Sequence, residues 1–195
     1  MSVKITAIYG SPRKDGNTDI LMQAFLGGLS AAGISAREIF LRDLNIQPCT
    51  ACGGCAQTGC CVLRDDMDQI YPLFETSDVI VLAAPVFFYS FGAMAKAMVD
   101  RSQAFWVRKY QLKQNMNSAR VSGTGRGIVL SVGGSKGKRN FESILLSARY
   151  FFDALDMSLA HQLTYSSVDE AGAIRRHPTA CSEAEALGRE VMSKV

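Results

Sequence analysis

The chain has 195 residues, 48% of them hydrophobic and 20% charged, which is the composition of one globular domain with a buried core. Its net charge of +3 is too small to indicate nucleic-acid binding, and no apolar run approaches the roughly 20 residues of a membrane span. The first residues lead into an apolar run without a signal-peptide pattern. We therefore expect a cytoplasmic protein that binds neither nucleic acid nor a membrane.

Apolar runs alternate with segments of helical periodicity along the chain. The runs predict strands at residues 3–9, 35–41, 78–84, 127–132 and 159–165. The periodic segments predict helices at residues 18–32, 65–76, 91–105, 140–155 and 182–194, and residues 107–125 are expected to form a loop. This alternation predicts an α/β doubly wound parallel sheet of five strands with helices on both faces.

Capping residues suggest where several helices begin and end. Asn17 or Thr18 is the expected N-cap of the first helix, and Gly33 is expected to end it. Ser182, with Glu185 three residues later, has the pattern of a capping box at the last helix. Pro72 is expected to break the second helix, because proline lacks a backbone N–H.

The segment GSPRKDGNT, residues 10–18, joins the first strand to the first helix and is called the phosphate loop below. Backbone N–H groups and the helix dipole at a helix N-terminus attract anions, and Arg13 adds a positive charge. The segment lacks the Walker A pattern. It therefore predicts a phosphate site of another type, the alternative being a plain turn.

The third strand is followed by APVFFYSFGAMAKAMVDR, residues 84–101. Its aromatic residues at 87, 88, 89 and 91 lie at the edge where a parallel sheet binds ligands, so they predict contact with a planar ring. The alternative is that they are core residues. The segment SVGGSKG, residues 131–137, follows the fourth strand and would add an amide-rich third wall.

Five of the six cysteines lie within PCTACGGCAQTGCC, residues 48–61, called the cysteine loop below. Cys49, Cys52 and Cys55 have the spacing C-x2-C-x2-C, and Cys60 or Cys61 could supply a fourth ligand. An iron–sulfur cluster or redox-active thiols suit this spacing better than zinc, whose structural sites usually pair two separated knuckles. Disulfide bonds are not expected in a reducing compartment.

Together, these segments resemble the NADPH-dependent FMN reductase-like flavoproteins, and CTACGGCAQTGCCVLRDDM, residues 49–67, is similar to the iron–sulfur flavoprotein branch. The resemblance implies a flavodoxin-like fold with strand order 2-1-3-4-5 and FMN at its carboxyl edge. The implied cofactor-binding residues are Ser11, Arg13, Asn17 and Thr18 for the phosphate, Pro85, Val86, Phe87 and Phe88 beside the ring, and Gly133 and Gly134 in the third loop. Phe87 stands where relatives often have tyrosine, which keeps the ring and removes a hydroxyl.

The resemblance also implies a [4Fe–4S] cluster on Cys49, Cys52, Cys55 and Cys61, because in relatives the cysteine just before V-x-x-D-D-M is the ligand. The implied function is electron transfer between a one-electron carrier, such as a ferredoxin, and an acceptor, in a homodimer or homotetramer. Two alternatives stay open: a cluster-free NAD(P)H-dependent FMN or quinone reductase, and a redox sensor with switching cysteines. The sequence identifies no catalytic acid or base.

Overall fold

The computed structural model describes residues 3–114, 120, 125–137 and 139–191. The strands are β1 Ile5–Tyr9, β2 Arg37–Phe40, β3 Val79–Ala83, β4 Val86–Phe87, β5 Ser90–Phe91, β6 Gly125–Gly133 and β7 Met157–Ser166. The α-helices are α1 Asn17–Ala31, α2 Met67–Thr76, α3 Ala93–Arg101, α4 Gln103–Trp106, α5 Glu142–Ala154 and α6 Ala180–Glu190. Short 3-10 turns occupy Leu41–Asp43 and Ala173–Arg176, and a π-helical turn occupies Val107–Gln111.

Five of these strands form one parallel sheet in the order β2-β1-β3-β6-β7. Counted along the sheet strands alone, this is the predicted order 2-1-3-4-5, so the flavodoxin-like architecture is confirmed. Every residue of β1 and β3 is buried, as expected of central strands covered on both faces. The order reverses beside β1, and the loops after β1 and β3 therefore meet at the carboxyl edge where such sheets bind ligands.

Helices cover both faces of the sheet and bury two apolar clusters. On one face, α1 and α6 pack through side chains that include Leu21, Phe25 and Leu187. On the other, α2, α3 and α5 pack through side chains that include Phe74 and Phe152. No helix within the described ranges is long and apolar enough to cross a lipid bilayer.

The predicted helix over residues 91–105 is wrong in its bounds. The chain first forms an antiparallel two-stranded hairpin, β4 and β5, called the aromatic hairpin below. Gly92 in extended conformation then caps α3, and a break at Ser102 separates α3 from α4. The predicted loop over residues 107–125 is also wrong at its start, because the π-helical turn continues α4; residues 115–119 and 121–124 lie outside the described part.

Two predicted caps and one predicted break are also wrong. The N-cap of α1 is Gly16, so Asn17 and Thr18 lie inside the helix. The N-cap of α6 is Thr179, and the Ser182 hydroxyl donates back to its carbonyl oxygen at 2.9 Å. Pro72 lies inside a continuous α2, because burial of the apolar side chains on either side of it holds the helix against the sheet. The predicted end of the last helix at residue 194 lies outside the described residues.

Candidate functional site

A cleft of about 100 Å³ lies at the carboxyl edge of the sheet, where four loops meet. Eight of the ten predicted cofactor-binding residues line it: Ser11, Arg13, Asn17, Thr18, Pro85, Val86, Phe87 and Gly134. The other two lie apart from its lining. Gly133 is buried against the Asn140 side chain, and Phe88 is fully exposed at the tip of the aromatic hairpin. The structure thus brings together the phosphate loop and the turn after β3, as the sequence predicted.

The N-terminus of α1 forms the phosphate end of this cleft. Its first N–H groups have no intrahelical acceptor, as at every helix N-terminus. The Thr18 Oγ1 atom is buried and has no hydrogen-bond partner within the described ranges, although a buried hydroxyl normally has one. Arg13 lies exposed at the rim, and Ser11 Oγ accepts a hydrogen bond from the Arg13 backbone N–H at 3.1 Å. An orphan hydroxyl, free amides and a nearby guanidinium fit a phosphate group.

Asn17 has a different role from the one its side chain suggests. Its amide nitrogen donates to the Glu170 carbonyl oxygen at 2.9 Å, and its amide oxygen accepts from the Ile174 N–H at 3.2 Å. The Asn17 side chain therefore fastens the loop after β7 to the phosphate loop. Only its backbone N–H, at the first position of α1, is left to face an anion.

The loop after β7 forms a fourth wall that the sequence did not predict. Val168, Asp169 and Ala171 line the cleft, and a Cβ on Gly134 would lie 2.9 Å from a carboxylate oxygen of Asp169. The backbone at Ser167 is left-handed, with φ of 61°, which turns the chain back over the cleft. The sequence of this segment has no glycine-rich or phosphate-binding pattern that could have predicted it as a wall of the cleft. Only the topology of the sheet places it there.

A buried ion pair supports the phosphate loop from behind. Asp19 Oδ2 accepts from Arg42 at 2.9 Å and from the Asp15 backbone N–H at 3.1 Å. Burial raises the pKa of the Asp19 carboxyl, and the Arg42 guanidinium opposes this rise. The contact fixes Asp15, whose φ of 57° is left-handed, and so fixes the bend that leads into α1.

The aromatic hairpin presents its rings beside the cleft. Phe88 and Tyr89 form its two-residue turn with φ of 48° and 61°, a conformation that normally selects Asn-Gly and strains bulky residues. Phe87 is about half exposed and packs over Gly92, where a Cβ would lie 3.1 Å from its ring. Phe91 is buried, so the core alternative is correct for this residue alone among the four aromatics.

The cysteine loop encloses a separate pocket of about 540 Å³ beside α3 and α4. Cys49, Cys52, Cys55 and Cys61 all line this pocket. Burial raises the pKa of the Cys55 thiol, and the other three thiols add to the rise. Cys60 points elsewhere, toward Arg108 at 3.5 Å. The geometry therefore favours Cys61 over Cys60 as the fourth cysteine ligand.

The four thiols are not arranged around one point. Within the described ranges, no three His, Cys, Asp or Glu side chains are placed to hold a single metal ion, and no disulfide bond forms. A hydrogen bond from the Gly54 backbone N–H lowers the pKa of the Cys52 thiol, so the loop offers N–H groups to sulfur. Thiols spread around a pocket, with N–H donors, fit a multinuclear cluster better than a zinc ion.

A buried ion pair closes the base of the cysteine loop. Arg101 and Asp65 are almost completely buried, and Arg101 Nη1 contacts Asp65 Oδ2 at 2.6 Å. The guanidinium also donates to the carbonyl oxygens of Gln47 at 2.9 Å and Leu63 at 3.4 Å. Burial would raise the pKa of Asp65, but the hydrogen bonds from Arg101 and two backbone N–H groups hold it below its usual value. Arg101 therefore joins the two ends of the loop.

Arg108, seven residues further along, holds the far side of the same loop. Its Nε donates to the Gly59 carbonyl oxygen at 2.7 Å, and its Nη1 pairs with Glu75. Its guanidinium lies over the Phe105 ring, 4.8 Å from the centroid. Sequence reasoning identified neither arginine, because neither forms a motif with the residues that it contacts.

Comparison with known proteins agrees with this fold and site. The structure is similar to an NAD(P)H:quinone oxidoreductase from Methanothermobacter marburgensis, with a TM-score of 0.70 and 15% identity over 98% of this chain and all of that chain, which shows the fold alone. The model of the NADPH-dependent FMN reductase family matches residues 3–162. The chain therefore belongs to this family of flavin-dependent oxidoreductases, as the sequence resemblance implied.

Two curated relatives carry the same name. An iron-sulfur flavoprotein of Methanosarcina thermophila is 37% identical over 69% of this chain and 65% of its own length. An iron-sulfur flavoprotein of Methanocaldococcus jannaschii is 34% identical over 64% of this chain and 64% of its own length. The matches thus span slightly less than two thirds of either relative.

Proposed function

We propose that this chain is an iron–sulfur flavoprotein that transfers electrons between a one-electron carrier and an acceptor through a [4Fe–4S] cluster and FMN. The observation that carries the proposal is the pocket of about 540 Å³ lined by four of the five thiols of the cysteine loop. The names of the two relatives support it. The carrier would be of the ferredoxin type.

The residues of the cleft would hold FMN by its two ends. The amides at the start of α1, the Thr18 hydroxyl and Arg13 would bind the phosphate, and the turn after Pro85 with the Phe87 ring would face the flavin. When bound, FMN exchanges one or two electrons and a cluster exchanges one, so the pair would connect one-electron and two-electron chemistry. The protein's own groups bind and orient, and no side chain is assigned a proton-transfer role.

A second candidate is a cluster-free NAD(P)H-dependent FMN or quinone reductase. The family match favours it, because that match covers the phosphate loop and the turn after Pro85 and carries the name of an NADPH-dependent reductase. The two candidates differ in what the cysteine loop does. In the reductase the thiols would stay free, and removing one would leave turnover intact.

The protein would act as a homodimer or homotetramer. Large apolar and aromatic side chains are exposed on two neighbouring segments. They are Trp106 at the end of α4, Tyr110 in the following π-helical turn, and Leu146 and Tyr150 on α5. Apolar surface of this kind on neighbouring helices suits contact with a second copy. Analytical ultracentrifugation tests this: a monomer at micromolar concentration would contradict it, and a dimer or tetramer would support it.

Single-cysteine variants distinguish the two candidate functions. After anaerobic purification, Cys52→Ala and Cys61→Ala are expected to lose iron and keep FMN, because their sulfurs line the pocket. Cys60→Ala is the matched control, and it should keep iron because its thiol faces Arg108. Iron retained at full occupancy in Cys52→Ala, or lost in Cys60→Ala alone, would contradict the ligand assignment. Wild-type protein without iron but with NADPH oxidation would support the reductase.

A further inference from the structure

Four buried side-chain atoms lack a hydrogen-bond partner within the described ranges, and they fall into two pairs. Thr18 Oγ1 lies at the phosphate end of the FMN cleft, and Asp19 Oδ1 belongs to the ion pair with Arg42 behind it. The other two, Tyr71 Oη and Arg101 Nε, lie beneath the cysteine loop. Because buried polar atoms almost always find a partner, each orphan needs an explanation. Thr18 lines the cleft where a phosphate is expected, whereas the second pair lies on the cysteine side and needs a partner there.

Both orphans of the second pair lie on the side of the cysteine loop that carries Cys61. Arg101 and Cys61 line the same pocket, and the Tyr71 hydroxyl is a neighbour of both the Cys61 thiol and the Arg101 guanidinium, although neither orphan atom is in hydrogen-bond geometry. Tyr71 reaches this position from α2 and Arg101 from the end of α3. Two elements that are separate in sequence thus bring one O–H and one N–H donor under Cys61.

The remaining donors of Arg101 are already used. Nη1 and Nη2 bind Asp65 and the carbonyl oxygens of Gln47 and Leu63, which leaves Nε as the free N–H. Asp65 also balances the positive charge of Arg101. What Arg101 and Tyr71 offer to Cys61 is therefore a pair of directed hydrogen-bond donors, with little net charge.

We propose that Tyr71 and Arg101 are positioning residues that donate to the sulfur of the redox centre at Cys61 and raise its reduction potential. This inference rests on the proposed function. Reduction by a one-electron carrier adds one negative charge to the centre and oxidises the carrier by one electron, with no bond made or broken. Hydrogen bonds to sulfur stabilise that added charge, and they are stronger where water is excluded.

Tyr71→Phe is the sharpest probe, because it removes the hydroxyl and keeps the ring that packs 5.9 Å from the Phe105 ring. We expect the variant to keep full iron and FMN and its reduction equilibrium constant to fall about tenfold, which is about 59 mV for a one-electron couple. Tyr110→Phe is the matched control. Its exposed hydroxyl contacts Asp153 and does not line the pocket of the cysteine loop, so the potential of this variant should equal that of wild type.

The measurement is an anaerobic spectroelectrochemical titration of the iron-loaded proteins, with iron and FMN counted in each sample. If Tyr71→Phe also loses iron, Arg101→Lys is the second variant, because lysine retains the charge beside Asp65 and lacks the Nε donor. The reduction potential of Arg101→Lys should also be lower than that of wild type. A reduction potential equal to that of wild type in either iron-loaded variant overturns this inference and leaves the proposed function standing. A wild-type chain without iron overturns the proposed function and this inference with it.

Discussion

The ion pair between Arg101 and Asp65 is expected to be the strongest support of the cysteine loop. Both side chains are almost completely buried, and the guanidinium also binds two carbonyl oxygens at opposite ends of the loop. Removing one partner of a buried pair leaves the other charge uncompensated and costs about 3–5 kcal/mol. We therefore expect Arg101→Met to lower the free energy of unfolding by this amount, which is a large part of the roughly 5–15 kcal/mol of a typical domain.

Lys96→Met is the matched control, because Lys96 forms an ion pair with Asp100 on the same helix at 2.6 Å. Both of these side chains are about 40% exposed, and exposed i,i+4 pairs contribute only about 0.3–0.5 kcal/mol. Urea unfolding of wild type and both variants, followed by circular dichroism, measures the two losses. An Arg101→Met loss below about 1 kcal/mol, equal to that of the control, would refute the reasoning.

The same pair makes stability depend on pH in a definite direction. The pKa of Asp65 is lower in the folded state than in the unfolded chain. The contribution of the Asp65 carboxylate to folding stability is therefore complete above its unfolded pKa of about 3.9. The contribution is lost as the pH falls through the lower, folded pKa. The difference in stability between wild type and Arg101→Met should therefore shrink below about pH 4. A constant difference between pH 7 and pH 3 would contradict this assignment.

Three further predictions concern the FMN cleft and its border. Thr18→Val removes the orphan hydroxyl, so FMN affinity, measured by flavin fluorescence, should fall about tenfold. The apo form of this variant should unfold at the same urea concentration as wild type or a higher one. An unchanged FMN affinity would count against the phosphate site. Arg13→Ala removes an exposed charge at the rim, so FMN binding should weaken and become less sensitive to salt, with stability unaltered. Replacing Phe88 and Tyr89 by Asn and Gly relieves two left-handed residues and should raise the melting temperature; a lower melting temperature would show that the turn is not strained.

The sheet could be predicted from the sequence because its central strands β1 and β3 are short and apolar on both faces. Alternation of such runs with helical patterns allows few arrangements, and the order of the five strands follows from the resemblance. The FMN cleft was predictable for a related reason, since the loops after β1 and β3 adjoin each other in any sheet of this order.

The errors fall where tertiary contacts override local pattern. Residues 86–90 read as a loop and residue 91 as the start of a helix, but burial of Phe91 and the extended Gly92 turn this segment into a hairpin. Asn17 has the residue type of an N-cap, but its side chain is taken by the loop around Glu170, which is 153 residues away in sequence. Arg101 lay inside the predicted helix over residues 91–105, and its role depends on partners 36 to 54 residues away that no local pattern reveals.

Iron, acid-labile sulfide and flavin analysis of the anaerobically purified wild-type chain tests the central claim most directly. The account predicts about four irons, about four sulfides and one FMN per chain, with a broad visible absorbance that bleaches on reduction. A chain that binds FMN and contains neither iron nor sulfide after anaerobic reconstitution would contradict it, and the cysteine loop would then hold free thiols.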